Sequence, residues 1–341
     1  MPYRLTRRKK VLLGLLIALV AAVSARTVVI WVGERFRDLQ EAAIFARRLQ
    51  GTLRRLTYRS ALLGQRQTIL LYLPPSYGNP DAGERRYPVV YLLHGCPGQP
   101  RDWLVKGDLH DTIEQLIRSH RAQEMILVMT DASGPRGRFD CTLYMDNARR
   151  GYPAETAFVR ELVPLIDQRF RTFAAREGRA LLGVSSGGFA ALNLGVRHPD
   201  RFAVLAAHSG YFWAASDPRS VRAVLGNDSV AWTANSPADH LAGLPPALRP
   251  HIYLNVGRSD PMRAESEAFA QELQQLGIDF RLHKTRGTHS WPYWRRNLPD
   301  SLAWVSSRLG VRAPTPTPTL TRRASSRSRS RSRSKTRREA R

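Results

Sequence analysis

Cysteine is scarce in this chain, with two residues among 341. They form no C-x-x-C pair and are not clustered with histidines at the spacings that structural zinc sites use. The sequence therefore excludes a disulfide-rich scaffold, and it predicts no metal site and no cofactor. Negative charge is also scarce, with 28 acidic residues against 53 basic ones. Since 43% of the residues are hydrophobic, a wholly disordered chain is excluded too.

The excess positive charge lies mainly at the two ends of the chain. Residues 1–10 carry a net charge of +5 and residues 313–341 a net charge of +9, which together are 14 of the 25 formal charges. Only +11 is left for the body of the chain. Nucleic acid is therefore an unexpected partner for the folded part.

The C-terminal residues 313–341 differ in composition from the rest. Proline and threonine alternate in residues 313–319, which predicts an extended linker. Arginine and serine alternate in residues 327–335, which predicts a disordered polycation. We expect this tail either to contact an anionic surface polymer or lipid, or to have no specific partner.

The N-terminal residues 1–33 combine a basic region with a long apolar segment. Five basic residues precede the uncharged run of residues 11–23, and apolar residues resume after Arg26 and continue to Val32. This pattern predicts an export signal that is either retained as a membrane anchor or cleaved. A helix over residues 11–32 would be about 33 Å long, enough for a hydrocarbon core of about 30 Å. The positive-inside rule then places the rest of the chain outside the cytoplasm, either anchored to the cell membrane or secreted.

Residues 34–55 predict an amphipathic helix that would act as a stalk between the membrane segment and the folded domain. Apolar side chains recur here at roughly helical spacing among charged and amide residues, at Phe36, Leu39, Ala43, Leu49 and Leu53.

From residue 56 to residue 312 the sequence predicts one α/β domain. Two strand-like runs around Gly64 indicate a hairpin at a sheet edge. After them, apolar strand candidates alternate with helical patterns, which is typical of a mainly parallel central sheet with helices on both faces. The strand candidates are residues 88–93, 124–130, 180–184, 202–207, 251–256 and 280–283, and the helix candidates are residues 108–120, 154–170, 188–198, 263–276 and 299–309.

The strongest functional signal is Gly183-Val-Ser-Ser-Gly187, a G-x-S-x-G pattern between a buried strand candidate and a helix candidate. In this context small residues let the backbone turn sharply and expose the serine hydroxyl, so Ser185 is the candidate nucleophile. Ser186 does not fit the pattern, because it would need glycine where the chain has Val184. The alternative is a glycine-rich connection whose serines only cap the helix.

A serine nucleophile needs a base, and an acid that holds the base, and this layout places them later in the chain in the order acid, histidine. His289 lies in a loop directly after a strand candidate and is preferred over His283, which lies within that strand. Asp260 follows another strand candidate and precedes a helix, so it is either the acid of the triad or a helix N-cap. Glu265 and Glu267 are weaker acid candidates because they fall within the helix pattern.

Two backbone amides are expected to bind the oxyanion of the tetrahedral intermediate. One belongs to Ser186, the residue after the nucleophile, and the other to Cys96, in the loop after the strand candidate at residues 88–93. Cys96 is a weaker candidate nucleophile, because no strand-turn-helix context presents its thiol. Cys96 and Cys141 both follow strand candidates and would be able to pair in an oxidising compartment.

Several motifs, taken in order, resemble the putative esterase family typified by esterase D. They are Tyr91-Leu-Leu-His-Gly95, Tyr144-Met-Asp-Asn147, Gly183 to Gly188, Gly257 to Asp260 and Gly287-Thr-His-Ser-Trp291. That family includes feruloyl and acetylxylan esterases, S-formylglutathione hydrolase and mycolyltransferases. The resemblance covers about residues 56–310. It implies an α/β-hydrolase fold with a Ser185, Asp260 and His289 triad and an oxyanion donor at Cys96.

Together these patterns predict an extracytoplasmic serine carboxylesterase that hydrolyses a small-molecule, carbohydrate or lipid ester, or a thioester, through an acyl-serine intermediate. Acyl transfer to a sugar or lipid would use the same residues and stays an alternative. A non-catalytic surface-binding protein with an esterase fold is a further alternative. Loops 131–150 and 211–244 would form the substrate pockets. Four tryptophans near the expected site would either line these pockets or pack in the core: Trp213, Trp232, Trp291 and Trp294.

Overall fold

The computed structural model describes residues 27–147 and 150–310. Most of the predicted export signal and the whole basic tail lie outside these residues. Among the helices within residues 27–147 and 150–310, none has both the length and the apolar sequence needed to cross a bilayer.

Strands and helices alternate along most of the described chain. The strands are β1 (Thr52–Arg59), β2 (Arg66–Leu73), β3 (Val89–Leu93), β4 (Ile126–Met129), β5 (Ser133–Gly134), β6 (Gly137–Cys141), β7 (Asp146–Asn147), β8 (Tyr152–Pro153), β9 (Arg179–Val184), β10 (Val204–His208), β11 (His251–Gly257) and β12 (Phe280–Thr285). The helices are α1 (27–45), α2 (Asp102–Val105), α3 (Leu109–Arg118), α4 (Ala154–Ala157), α5 (Val163–Arg169), α6 (Ser186–Arg197), α7 (Pro218–Leu225), α8 (Ser229–Thr233), α9 (Pro237–Leu241), α10 (Arg263–Gln275) and α11 (Trp291–Arg308). A π-helical turn, Phe158–Leu162, joins α4 to α5.

One large sheet organises the domain. Within the described residues its strand order is β1-β2-β4-β3-β9-β10-β11-β12. The strands from β4 to β12 in this order pair in parallel, whereas β2 pairs antiparallel with both β1 and β4. The antiparallel hairpin therefore lies at one edge, as predicted. The expected α/β class with a mainly parallel sheet is confirmed.

Helices cover both faces of this sheet because the central strands are apolar on both sides. In β3, Val89, Tyr91 and Leu93 pack on one face and Val90 and Leu92 on the other, and all five are fully buried. The first face is covered by α5, α6 and α10, and the second by α3 and α11. Strands that are buried on both faces need uninterrupted runs of apolar residues. These runs are the pattern from which the strands were predicted.

The stalk predicted at residues 34–55 is wrong in its C-terminal part. Helix α1 ends at residue 45, and Leu53 lies in strand β1. The backbone amides of Gln50 and Gly51 donate hydrogen bonds to the buried carboxylate of Glu114, which turns the chain toward β1. The spacing of Leu49 and Leu53 fits a helix, but pairing of β1 with β2 satisfies the backbone as a strand.

The C-terminal end of helix α1 packs on the domain, whereas the apolar side chains in its N-terminal part, such as Val29 and Trp31, are largely exposed. Ile44 and Phe45 pack against the second core face, and Glu41 is only 6% exposed. The Arg47 guanidinium lies 2.8 Å from the Asp111 carboxylate at the start of α3. Apolar packing and paired charges therefore hold α1 against the sheet and α3.

Helix α11 begins eight residues earlier than the predicted helix at 299–309. Its first turn starts at Trp291, and Pro299 lies inside it rather than at its start. Pro292 lies in the first turn of α11, where proline is tolerated because the N–H it lacks has no partner within the helix. The earlier start brings the first turn of α11 directly after His289.

Backbone atoms of β3, β9 and α6 meet at the turn after β9. A Cβ added to Gly183 would lie 1.9 Å from the carbonyl oxygen of Gly187. A Cβ added to Gly187 would lie 2.2 Å from the carbonyl oxygen of Leu93. Both glycines of the G-x-S-x-G pattern are therefore required by close backbone contact.

We predict that Gly183→Ala destabilises the fold, because the new methyl group has no space and the opposing atoms are backbone. The expected loss is about 1–3 kcal/mol or more of unfolding free energy, as for other overpacked core positions. Urea unfolding followed by tryptophan fluorescence measures it. Gly78→Ala is the matched control, since its added methyl group meets nothing within 4 Å. Equal unfolding free energies for Gly183→Ala and Gly78→Ala would contradict the requirement for glycine at position 183.

Candidate active site

The candidate residues lie where the parallel strands end. Ser185 follows β9, Ser209 follows β10, Asp260 lies three residues after β11 and His289 four residues after β12. Parallel strands present their carboxyl ends at one edge of the sheet, and ligands bind at this edge in open α/β sheets. The topology thus brings together side chains that are far apart in sequence.

Ser185 has a backbone conformation that few residues other than glycine adopt, with φ 57° and ψ −127°. Its amide donates to the carbonyl of His208 at 2.8 Å, and its own carbonyl accepts from the amide of Gly188 at 2.8 Å. These bonds hold the sharp turn between β9 and α6. The turn lifts the hydroxyl away from the sheet, as a nucleophile at this position requires.

The hydroxyl of Ser185 lies 2.9 Å from Nε2 of His289, and Nδ1 of His289 lies 3.1 Å from Oδ1 of Asp260. Both separations are within hydrogen-bond distance. With Nδ1 protonated, His289 donates to Asp260 and accepts from Ser185. The side chain of His289 is 30% exposed and that of Asp260 is fully buried. A buried carboxylate, an imidazole and an accessible hydroxyl thus form one continuous relay.

The carboxylate of Asp260 has further hydrogen bonds that keep it ionised. The hydroxyl of Ser209 donates to Oδ2 at 2.6 Å, and the amide of Met262 donates to Oδ1 at 2.9 Å. Burial raises the pKa of Asp260, but the hydrogen bonds from His289, Ser209 and Met262 lower it more, so the pKa lies below its ordinary value. The carboxylate therefore carries the negative charge that stabilises a protonated His289.

Trp294 connects helix α11 to both members of this pair. Its indole N–H donates to the hydroxyl of Ser209 at 2.9 Å. Its ring lies 5.1 Å from the ring of His289, nearly perpendicular to it. Trp294 therefore orients Ser209 toward Asp260 and restrains the face of His289.

Sequence reasoning did not assign a role to Ser209 and named Trp294 only as a pocket or packing residue. The available signal for Ser209 was its position directly after a strand, at the same sheet edge as Ser185 and Asp260. The signal for Trp294 was weaker, because its place five residues after His289 acquires meaning only when α11 is known to begin at Trp291.

The loop after β3 lies against the nucleophile. A Cβ added to Gly95 would be 3.0 Å from Cβ of Ser185 and 3.6 Å from its hydroxyl oxygen. The next residue is Cys96, and Ser186 follows the nucleophile directly. Both predicted oxyanion donors therefore belong to residues close to Ser185 in the chain or next to a residue that contacts it.

His94 fixes the peptide group between Gly95 and Cys96. Its Nδ1 lies 2.8 Å from the carbonyl oxygen of Gly95, and its Nε2 lies 3.1 Å from the amide nitrogen of Ala132. An amide can only donate, so Nε2 accepts and Nδ1 carries the proton that is donated to Gly95. The carbonyl and the N–H of one peptide group point in opposite directions. The bond to the Gly95 carbonyl therefore directs the Cys96 amide away from His94.

Cys96 and Cys141 form a disulfide, with their Cα atoms 5.9 Å apart. The bond ties the Cys96 loop to the end of β6. It also leaves no free thiol at Cys96, so the alternative of a cysteine nucleophile is wrong. The disulfide and Ser186 line one small cavity beside this loop.

The weaker candidates for acid and base have other partners. His283 lies in β12 and is 2.9 Å from the hydroxyl of Tyr253. Glu265 accepts from the amide of Phe212, and Glu267 pairs with Lys284 at 2.9 Å. The structure does not bring these three side chains to Ser185.

The four tryptophans named from the sequence do not line one pocket. Trp294 and Trp291 lie beside each other after His289, with ring centroids 5.3 Å apart. Trp213 packs on Phe269, and Trp232 donates to the carbonyl of Gly226. Two of the four therefore belong to the surroundings of the site and two to packing elsewhere.

A group of possible metal ligands lies elsewhere among the described residues, at Asp108, His110 and Asp111. Asp108 lies 2.6 Å from the guanidinium of Arg295, and Asp111 lies 2.8 Å from that of Arg47. These carboxylates are ion-paired, and their geometry gives no reason to assign a metal to them.

This arrangement supports nucleophilic catalysis on a carbonyl or a similar electrophile. A hydroxyl, a base and a buried acid are joined by hydrogen bonds in the order that nucleophilic catalysis by serine needs. The substrate would occupy the space next to the Ser185 hydroxyl.

Comparison with known proteins gives consistent matches. The family described as "Putative esterase" matches residues 60–305. An endo-1,4-beta-xylanase/feruloyl esterase of Xylanibacter ruminicola is 29% identical over 51% of this chain, and the matched part is 24% of that protein. An acetyl esterase of Caldicellulosiruptor saccharolyticus is 23% identical over 74% of this chain and 97% of its own length. A solved ferulic acid esterase is 27% identical, with a TM-score of 0.66 over 77% of this chain and all of its own.

We predict that Ser209→Ala slows the reaction of Ser185 with a fluorophosphonate probe by roughly 10-fold or more. A hydrogen bond to a charged group contributes about 1.5–3 kcal/mol, and about 1.4 kcal/mol corresponds to a tenfold change in rate. Trp294→Phe, which removes the N–H donor to Ser209 and part of the ring beside His289, should have an effect in the same direction. The rate of labelling is read by fluorescence after electrophoresis.

Ser266→Ala is the control for Ser209→Ala, because Ser266 is an equally buried serine in α10 without contact to the triad. Its labelling rate should equal that of the wild type. Unchanged labelling of Ser209→Ala would show that Asp260 does not depend on this hydroxyl.

Proposed function

Because the chain belongs to the putative esterase family and has the α/β-hydrolase fold, we propose that it hydrolyses a carboxylic ester through an acyl-serine intermediate. The observation that carries this proposal is the hydrogen-bonded series Ser185, His289 and Asp260, with separations of 2.9 and 3.1 Å. The chain spans 24%, 57% and 31% of the length of three of the curated relatives it matches, so their activities serve as support for the proposal only.

The acylation step follows from this geometry. His289 takes the proton of the Ser185 hydroxyl on Nε2 while the oxygen attacks the ester carbonyl carbon. We assign the amides of Cys96 and Ser186 as the donors that bind the oxyanion that forms. As the carbonyl re-forms, the bond to the alcohol oxygen breaks, and His289 gives its proton to that oxygen. The alcohol leaves, and the acyl group stays on Ser185.

Deacylation repeats the sequence with water as the nucleophile. His289 takes a proton from water, the hydroxide oxygen attacks the acyl carbon, and the serine oxygen leaves with the proton from Nε2. Throughout both steps the buried carboxylate of Asp260 stabilises the imidazolium. The hydrogen bonds that lower the pKa of Asp260 keep it ionised for this purpose.

The names of the relatives support esters of acetic or ferulic acid as the first substrates to test. One relative is an acetyl esterase, and another combines xylanase and feruloyl esterase in one protein. Both names describe a carboxylic acyl group attached to an alcohol oxygen. We propose the same reaction type for this chain.

We predict that Ser185→Ala loses at least about 10⁴-fold in kcat on p-nitrophenyl acetate and methyl ferulate, since the nucleophile is removed. Mass spectrometry of the wild type, quenched during turnover, should show one acyl group on the peptide that contains Ser185. Ser186→Ala is the control, because its backbone amide is retained and its hydroxyl has no part in the mechanism. Equal rates for wild type and Ser185→Ala would rule out the mechanism.

We further propose that the domain works outside the cytoplasm. A basic segment followed by an apolar run at residues 1–23 is typical of an export signal. The disulfide between Cys96 and Cys141 supports an oxidising compartment, where such bonds persist. The disulfide stabilises the oxyanion loop only in a compartment where it can form. We therefore expect the activity of the protein to depend on its location.

We predict that intact cells producing this protein hydrolyse an ester bearing a sulfonate group, which does not cross membranes, as fast as the same cells after lysis. Purified, unreduced protein should show no free thiol by mass analysis. Activity that appears only after lysis, or two free thiols, would contradict an extracytoplasmic site. Cells producing Ser185→Ala provide the background rate.

A further inference from the structure

The N-terminal part of helix α1 exposes apolar side chains on every side of the helix. Residues 28–32, the apolar segment of α1, are three valines, an isoleucine and a tryptophan, and each is 41% to 71% exposed. Because one helical turn contains 3.6 residues, five apolar residues in a row leave no polar side. A protein helix packed on this segment would cover only one stripe of it. A lipid layer covers a helix on all sides at once.

The apolar segment is continuous with a part of α1 that is docked on the domain. The helix runs without a break from residue 27 to residue 45. Glu34 and Asp38 both pair with Arg101, and Ile44 and Phe45 pack on the second core face. The docked part therefore fixes the direction in which the apolar segment extends.

The chain that leaves α1 reaches the amino edge of the sheet, where the parallel strands begin. A Cβ added to Gly51 would lie 2.5 Å from the carbonyl oxygen of Leu73, the last residue of β2. Strand β2 is antiparallel to β4, and Tyr72 pairs with Leu127, the second residue of β4. The end of β2 therefore lies beside the start of β4, at the amino edge.

The N-terminal half of α1 lies at the opposite, carboxyl edge, which holds the candidate active site. Arg101, the partner of Glu34 and Asp38, is in the loop that follows β3. Asp38 also lines a cavity together with Asp131, which follows the end of β4. Followed backward along the chain, α1 thus runs from the amino edge to the carboxyl edge. With a rise of 1.5 Å per residue, the apolar segment reaches about 9 Å farther along the helix than Glu34.

The sequence on each side of the apolar segment matches the boundary of a lipid layer. The guanidinium of Arg35 lies 5.6 Å from the centroid of the Trp31 ring. Tryptophan and basic residues are typical of the level of the lipid headgroups. On the N-terminal side, residues 11–23 are uncharged and almost wholly apolar. The apolar character of residues 28–32 therefore continues in the chain that precedes α1.

A further exposed aromatic side chain lies at the carboxyl edge. Phe139, in the β5–β6 hairpin that follows β4, is 67% exposed. Gly137 of this hairpin lines the same cavity as Asp38 of α1, so the hairpin is next to the helix. The edge past which the apolar segment extends thus carries apolar surface of its own.

We propose that residues 28–32 insert into a lipid surface, and that α1 thereby holds the domain with the carboxyl edge of its sheet, and Ser185, facing that surface. The alternative occupant is a second copy of the chain, which would pack on the stripe formed by Val29, Val32, Phe36 and Leu39. The lipid surface is favoured because the apolar segment extends beyond this stripe to all sides of the helix.

The first test measures insertion of the full-length protein in vesicles of phosphatidylcholine and phosphatidylglycerol. Cys96 and Cys141 are bonded to each other, so one introduced cysteine is the only free thiol for a fluorescent label. Lipids brominated in their acyl chains should quench a label at Val29→Cys. They should leave a label at Ala42→Cys, an exposed position in the docked part, unquenched.

The second occupant gives a different result in the same experiment. An unquenched label at Val29→Cys would overturn the proposal. Energy transfer between donor-labelled and acceptor-labelled copies, together with an unquenched label, would show that a second copy covers the segment instead.

The second test measures the orientation of the domain. Arg136→Cys places a label in the exposed hairpin at the carboxyl edge, and Asp200→Cys places one before β10 at the amino edge. The two edges are separated by about one strand length, roughly 20 Å for six residues, so energy transfer to a headgroup-labelled lipid should be at least about twofold higher from position 136. Equal transfer, or higher transfer from position 200, would overturn the proposed orientation.

A flexible Gly-Ser linker inserted after Gly33 separates orientation by α1 from simple tethering. The label at position 29 should stay quenched, and the difference between positions 136 and 200 should disappear. A difference that persists with the linker would show that α1 does not set the orientation. Neither test needs turnover, so both stay decisive if the proposed esterase activity fails.

Discussion

The contact between the backbones of Gly183 and Gly187 is the constraint from which the rest of the site is built. Because Gly183 has no Cβ, the end of β9 lies close against the first turn of α6, and because Gly187 has none, that turn also lies close against the end of β3. Ser185, between them, is then forced into a conformation with positive φ, which costs about 1–3 kcal/mol in a residue other than glycine. The bonds of its amide and carbonyl to His208 and Gly188 offset that cost. The position of the hydroxyl is thus set by backbone packing and does not depend on the substrate.

Asp260, the acid of the triad, depends on hydrogen bonds and not on close backbone packing. Asp260 is buried where an isolated carboxylate would become neutral, and a neutral acid would not stabilise a protonated His289. Hydrogen bonds from Ser209 and Met262 supply the stabilisation that water would otherwise give. The indole N–H of Trp294 donates to the hydroxyl of Ser209, and the indole ring packs against the ring of His289. Helix α11 therefore controls the electrostatics of the site although it contributes no reacting group.

The central sheet and the grouping of Ser185, Asp260 and His289 could be anticipated because both depend on local patterns. Apolar runs specify the parallel strands, and parallel strands bring their carboxyl ends to one edge. Ser209 and Trp294 could not be assigned in this way, since their contact joins residues 85 positions apart and depends on where α11 begins. The predicted stalk failed for a related reason. Strand β1 has a single sheet neighbour and is mostly half-buried or exposed, so its apolar pattern is too weak to distinguish a strand from a helix.

The attachment of α1 shows why an ion network can matter for geometry more than for stability. Arg101 pairs with Glu34 and Asp38, but both carboxylates are partly exposed, so water screens the attraction between the charges. The apolar contacts of Ile44 and Phe45 are therefore the better source of the free energy that docks the helix. What the network adds is direction, because a planar guanidinium donates hydrogen bonds to carboxylates in a fixed geometry. These pairs therefore orient α1 relative to the residues just before α2, where Arg101 lies.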